Sequence, residues 1–174
     1  MADTAPNRDF LKLERIYRAT PEELWALWTT REGVESWWGP NGFAVTVESL
    51  DLRPGGDMVY LMRATAPEMV AFMKANAMPE ATRTRLTYDK VEAARLLAYR
   101  NIVDFVPGIA PYPVATRVSF TAVAAGTRML LEFARMHDEV WTGRQAEGFK
   151  ILNRPAIRLK SMHHRTHDSG SQIR

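Results

Sequence analysis

The run Ser36-Trp37-Trp38-Gly39-Pro40, followed after a short turn by Phe43-Ala44-Val45-Thr46-Val47, constrains this chain more than any other stretch. Adjacent side chains diverge by about 100° on a helix and point to opposite faces on a strand. One indole is therefore sent inward while its neighbour lies nearer the rim. Gly39-Pro40 ends the helical segment and turns the chain. Two large aromatics at such a corner either seal a core or wall a ligand cavity, and the corner alone leaves both readings open.

The flanking pattern supplies the architecture. Phe10, Leu11, Leu13, Ile16 and Tyr17 mark a first strand with imperfect alternation. Thr20-Pro21-Glu22-Glu23 announces a helix: Thr20 caps, Pro21 suits the first helical position and Glu23 completes a capping box. Leu24, Trp25, Leu27 and Trp28 give that helix an apolar stripe, and a second short helix spans Arg31 to Trp37 in spite of Gly33. Strands follow at 43–50 and 57–65, separated by the turn signal Arg53-Pro54-Gly55-Gly56. Met69, Val70, Phe72 and Met73 have helical spacing and place an inserted helix at 67–77. Further strands are expected at 84–91, 96–105, 114–123 and 127–136. His137-Asp138-Glu139 then opens a terminal helix carrying Trp141, Gln145, Gly148, Phe149 and Leu152 on one face. This order is α+β, with sequential antiparallel strands curving over one helix and a space between them suited to an apolar ligand.

Composition narrows the class of function. A chain of 174 residues favours a single domain with core enough for an internal cavity. Without cysteine there is no disulfide framework and no thiolate chemistry, which suits a reducing cytoplasm. Met1 to Asp9 carry no apolar leader, and no apolar run approaches the roughly 20 residues of a membrane span. The net charge is +3, and the excess lies late: Lys150, Arg154, Arg158, Lys160, Arg165 and Arg174 stand against a lone Asp168. No aromatic interleaves with these cations after Phe149, so a solvated tail over 154–174 is expected and no nucleic-acid partner. His163, His164 and His167 lack an acidic ligand at the spacing of a zinc motif, so no metal is expected. There is no phosphate-cradling glycine loop, GxSxG elbow or HExxH, and no cofactor is expected.

Several pieces together resemble the START-like, SRPBCC superfamily of helix-grip proteins, and within it the heat-shock-protein ATPase activator homologue-like branch. They are Ala19-Thr20-Pro21 with Leu24-Trp25, Trp37-Trp38-Gly39-Pro40, Pro54-Gly55-Gly56 with Met62, and Met136-His137-Asp138-Glu139 with Trp141-Thr142, covering about residues 10–150. The resemblance implies a six- or seven-stranded sheet gripping a long C-terminal helix, with a hydrophobic tunnel between them. It does not imply one chemistry, since such relatives include lipid carriers, hormone receptors, polyketide cyclases and co-chaperones. The chain departs from the family at Asn153-Arg154-Pro155, where a proline costing about 3 kcal/mol inside a helix calls for a break.

Candidate ligand-binding residues are Trp37, Trp38, Phe43, Met62, Phe72, Met73, Tyr88, Tyr99, Asn101, Phe105, His137, Trp141 and Phe149. Aromatic and methionine side chains line apolar pockets, and they also fill cores. The inserted helix with Phe72 and Met73 suits a lid. On the strand 96–105, Tyr99 and Asn101 share a face with Leu97, Val103 and Phe105, leaving Arg100 and Asp104 as an ion pair on the other. His137 with Asp138 is an acid–base suggestion that competes with simple helix capping. The leading expectation is binding of a small hydrophobic or aromatic molecule. A cyclase, hydratase or hydrolase using the same pocket, and a chaperone-binding co-chaperone, are the alternatives. No catalytic residue is assigned, and a homodimer is left open.

Overall fold

The computed structural model describes residues 10–150. The break expected near Asn153, the basic tail and the His163, His164 and His167 cluster lie outside them.

Strand β1 (Phe10–Tyr17) leads into helices α1 (Pro21–Thr29) and α2 (Arg31–Trp37). Strands β2 (Phe43–Leu50) and β3 (Asp57–Ala64) form a hairpin, and helix α3 (Pro67–Ala75) separates them from β4 (Ala81–Glu92). Then come β5 (Leu96–Val103), β6 (Tyr112–Val123), β7 (Gly126–Ala134) and helix α4 (Glu139–Lys150). All strands join one antiparallel sheet in the order β1-β7-β6-β5-β4-β3-β2. Every neighbour but β1–β7 is consecutive in sequence, so short connections suffice, and α1 and α2 fill the single long crossover.

The helix starts form as the sequence dictates. Thr20 Oγ1 accepts the Glu23 N–H at 3.2 Å, and the Glu23 carboxylate accepts the Thr20 N–H at 2.8 Å. Thr30 caps α2 in turn, accepting the Gly33 N–H at 3.0 Å while donating to the Ala26 carbonyl at 2.8 Å. Gly33 is required at this helix–helix corner: a Cβ there would stand 2.1 Å from the Ala26 carbonyl oxygen. The Trp37 indole N–H donates to the Leu27 carbonyl at 2.8 Å and locks α1 to α2. Trp37 is buried at the end of α2 and Trp38 is half-buried at its C-cap, where the backbone is already extended; contrary to the expected inward–rim division, both rings turn inward, 4.9 Å apart, onto Trp28. The edge strand β2 is tied to α2 by Glu35, whose carboxylate accepts the Val47 N–H at 2.7 Å, and by Arg31, which donates to the Val47 carbonyl. Covering backbone groups at an edge strand guards it against pairing with another chain.

Four further expectations are corrected. The inserted helix ends at Ala75 rather than 77, where Ala77 takes a positive φ of 51°. Strand β4 starts at Ala81, earlier than 84, because Ala81 to Thr84 pair with Arg63 to Tyr60. Strand β5 stops at Val103, so Asp104 and Phe105 leave the sheet for a loop turning through Pro107-Gly108. Arg100 therefore pairs with Asp89 of the adjoining strand, at 2.8 Å, and not with Asp104. Four residues along a strand separate side chains by about 13 Å, whereas cross-strand neighbours meet.

Candidate functional site

The sheet is concave toward α1, α2 and α4, and its register sets one row of side chains across five strands. Tyr88 of β4 lies opposite Tyr99 of β5, Tyr99 opposite Thr116 of β6, Thr116 opposite Phe133 of β7, and Phe133 opposite Leu11 of β1. Strands alternate their side chains, so all five point to the same face. Phe133 meets Phe149 of α4 with ring centroids 5.0 Å apart. One row over, Leu86, Asn101 and Val114 align in the same manner.

An aromatic wedge from α1 and α2 covers the β3–β5 part of this face. Trp28 sits at its centre, with ring centroids 4.7 Å from Trp37, 5.9 Å from Trp38 and 6.5 Å from Tyr99. Trp38 in turn lies 5.9 Å from Tyr60 and 6.0 Å from Tyr99. Trp38 and Thr84 temper the rise that burial imposes on the Tyr60 phenol, and its hydroxyl is not among the buried atoms left without a partner.

Its neighbours are not so served. The Trp28 indole N–H, the Tyr88, Tyr99 and Thr116 hydroxyls, and the amide oxygens of Asn101 and Gln145 are buried without a hydrogen-bond partner among the described residues. Tyr88 and Tyr99 are each 1% exposed and Thr116 2%. Buried polar groups are normally paired, and leaving one unpaired costs about 1–3 kcal/mol. Burial drives the phenol of Tyr99 well above its ordinary range; Tyr60 adds to the rise, and Thr116 tempers it without reaching hydrogen-bond geometry. The Tyr88 phenol is raised by burial alone. Both stay protonated at neutral pH, able to donate and to accept.

A second group forms at the end of the sheet where β6 begins and α4 starts. Tyr112 Oη lies 2.6 Å from His137 Nδ1 and accepts the His137 backbone N–H at 3.2 Å. The Tyr112 hydroxyl thus meets both the ring and the backbone of His137, whose Nε2 lies 3.4 Å from the Asp138 carboxylate. Asp138 caps α4 by accepting the Trp141 N–H at 2.8 Å. Trp141 stacks near Phe105, with centroids 5.6 Å apart, and carries the Arg144 guanidinium over its face. The capping reading of Asp138 thus holds in geometry, and His137 is tied to Tyr112 rather than turned toward the row.

The candidate residues divide accordingly. Trp37, Trp38, Tyr88, Tyr99 and Asn101 belong to the concave interior. Phe105, His137 and Trp141 gather at the rim, and Phe105 is 42% exposed. Phe149 lines a cleft of about 80 Å³ with Leu13, Glu14, Arg15, Tyr17, Met129 and Leu131, at the β1 side of α4. Phe43 and Met62 are half-buried near the far edge. Met73 is buried under α3, whereas Phe72 on the same helix is 51% exposed. Trp28, Thr116, Gln145 and Tyr112 are the participants that sequence reasoning missed. Gln145 already stood on the sheet-facing stripe of the terminal helix, and the spacing of Thr116 from Val114 and Val118 was the available signal for its inward face.

No group of acidic, histidine or cysteine side chains among the described residues could hold a metal, and no described helix is long and apolar enough to cross a membrane. Residues 18–151 match the family model described as "Activator of Hsp90 ATPase homolog 1-like protein". No curated protein matches the chain. Solved structures share the fold at low identity. Protein CV1439 from Chromobacterium violaceum is 17% identical over 83% of this chain and 92% of its own, with a TM-score of 0.67. The AHSA1-like protein from Aeromonas hydrophila is 18% identical over 83% and 88%, with a TM-score of 0.62. A protein from Arthrobacter aurescens is 21% identical over 89% and 92%, also with a TM-score of 0.62.

Proposed function

We propose that this chain, which belongs to the Activator of Hsp90 ATPase homolog 1-like family, binds a small ring-bearing molecule between the concave sheet and α4. The observation that carries this reading is the set of fully buried polar atoms within an aromatic layer that find no hydrogen-bond partner among the described residues. A face built only to be packed would gain stability by shedding those groups. A ligand's polar atoms would offset their cost while its rings cover Tyr88, Tyr99 and Phe133.

The cleft beside Phe149, about 80 Å³, is well below the roughly 300 Å³ at which small-molecule sites begin and is lined by none of Tyr88, Tyr99 and Thr116, so admission to the row requires α4 and the Trp28–Trp38 wedge to move off the sheet. The composition of α4 supports such a lid. Gly143 and Gly148 each weaken the helix by about 1 kcal/mol relative to alanine, and a Cβ at either would meet no described atom within 4 Å. Close packing is therefore not what retains them. The raised phenol pKa values favour binding over proton abstraction, because a phenol held protonated is a poor base.

A ligand at about 100 times its Kd stabilises the folded state by about 2.7 kcal/mol, which for a chain of this size raises Tm by roughly 5–10 °C. A thermal-shift series over two-ring aromatics is expected to show such a rise. A midpoint that no member moves would sink the proposal. The chaperone role named in the family description would work through an outer surface. Stimulation of a chaperone ATPase that is unchanged in Tyr99→Phe would assign it there.

A further inference from the structure

We propose that two copies of this chain pair along the outer edge of β1, antiparallel and about a two-fold axis through Leu13, joining their sheets into one. Nothing in this pairing depends on a bound ligand.

The outer strands of the sheet are β2 and β1, and the fold treats them differently. On β2, Glu35 and Arg31 of α2 engage the Val47 backbone, and the register breaks between Val47 and Ser49. Coverage and bulges are the usual ways of closing an edge to further pairing. Strand β1 has neither. Its eight residues pair with β7 without a break, it contains no proline, and no described strand pairs with its other side. A straight outer strand of this kind is a template for one more strand.

The order of side chains selects the occupant. On the convex face β1 exposes Phe10, Lys12, Glu14 and Ile16. In either direction the order is an apolar residue, two opposite charges and an apolar residue. Reversal about Leu13 sets Lys12 against the partner subunit's Glu14 and Phe10 against the partner subunit's Ile16, each contact occurring twice by symmetry. Residues directly opposite share a face, so the axis must pass through a residue position. Moving it to Lys12 or to Glu14 would set like charges against each other, which destabilises a cross-strand pair. Charge and apolar contact thus favour the same register.

The pairing also completes a pattern within the sheet. Arg117 of β6 lies opposite Glu132 of β7, and Glu132 opposite Lys12, whose Nζ is 3.2 Å from the Glu132 carboxylate. This row alternates in sign and ends at the edge on a lysine. Glu14, one row along, stands opposite Leu130 and has no ion pair among the described residues. A second copy supplies the carboxylate that continues the first row and the ammonium that answers Glu14. Phe10 and Ile16, 46% and 51% exposed, leave water in the same step. On the concave face the two Leu13 side chains meet at the axis.

Sedimentation velocity on the full chain reads the assembly. Over a roughly hundredfold rise in concentration the wild type is expected to pass from monomer to dimer, since an edge contact of this length is a small interface. Lys12→Glu and Glu14→Lys should each weaken dimerisation by about tenfold or more, with circular dichroism showing both folded. Mixed in equal amounts, the two variants should pair with each other at near wild-type strength, because one chain then presents two carboxylates and the other two ammonium groups. Neither misfolding nor a contact on another face would give that rescue. Lys12→Glu stands beside Glu132, so Glu14→Lys, whose neighbour on β7 is Leu130, decides the matter if the first variant does not fold. A wild type that stays monomeric throughout would overturn the inference, and slow hydrogen exchange at the β1 amides of that monomer would assign the edge to a segment of the chain outside residues 10–150. Undiminished dimerisation in Glu14→Lys would place the contact on another face and overturn it too, as would a mixture of folded variants that remains monomeric.

Discussion

Replacing Tyr99 by phenylalanine should make the ligand-free protein more stable. The hydroxyl is buried and finds no partner among the described residues, in a side chain 1% exposed. Removing such a group recovers its desolvation cost, about 1–3 kcal/mol, offset by a few tenths for lost dispersion contacts. The ring itself stays, with its neighbours Trp38 at 6.0 Å and Trp28 at 6.5 Å. A net gain of about 1 kcal/mol corresponds to a Tm rise of roughly 2–4 °C for a chain of this length. Calorimetry and urea denaturation measure it together: the urea midpoint should rise with an unchanged m-value. Tyr60→Phe is the internal control. Its hydroxyl is not among the buried atoms without a partner, and Trp38 and Thr84 temper its pKa, so the same atom deleted two strands away should cost about 1 kcal/mol. Loss of 1 kcal/mol or more in Tyr99→Phe would refute the reasoning, because the hydroxyl would then be satisfied in the free protein and would not be kept for a ligand. A group retained at the expense of stability is the usual mark of a functional site.

Two further outcomes follow from the same geometry. The buried phenols of Tyr60, Tyr88 and Tyr99 are raised above the ordinary tyrosine value near 10. Their contribution to stability is therefore complete below about pH 10. It is lost as pH climbs toward the folded-state values, because the unfolded chain releases those protons first. Each phenol contributes about 1.4 kcal/mol of loss per pH unit in that window. Urea midpoints from pH 8 to 11.5 should fall steeply above 10 and less steeply in Tyr99→Phe; a flat profile would contradict the burial. On α4, Gly143→Ala should add about 0.5–1 kcal/mol, since the position is exposed and nothing described crowds a Cβ. If the lid idea is right, the same change slows ligand association in stopped-flow; an unaltered association rate would separate helix strength from entry.

Local chemistry was legible wherever a few adjacent residues decide the matter. The capping box at Thr20 and Glu23 and the proline at the start of α1 depend on neighbours in the chain, and each formed as read, whereas Trp37 and Trp38 both turned inward because Trp28 and Tyr99 offer them a common aromatic layer. Alternation likewise placed Tyr99 inward and Arg100 outward, because a strand offers only two faces. The element order and the family resemblance then sufficed for the helix-grip architecture.

What depends on which strand lies beside which could not be read along the chain. The partner of Arg100 is Asp89 because β4 adjoins β5, a register that no local pattern states. Tyr112 and His137 are 25 positions apart and meet only because β6 begins where β7 ends. Phe72 and Phe105 stay exposed because α3 and the β5–β6 loop turn those faces outward, though hydrophobicity alone predicted otherwise. The polar row has the same origin. Tyr88, Tyr99 and Thr116 are ordinary strand residues in sequence, and pairing of three strands in one register makes them a line of unpartnered hydroxyls. Periodicity assigns a side chain to a face, but only tertiary pairing assigns its neighbours, and recognition is a property of neighbours.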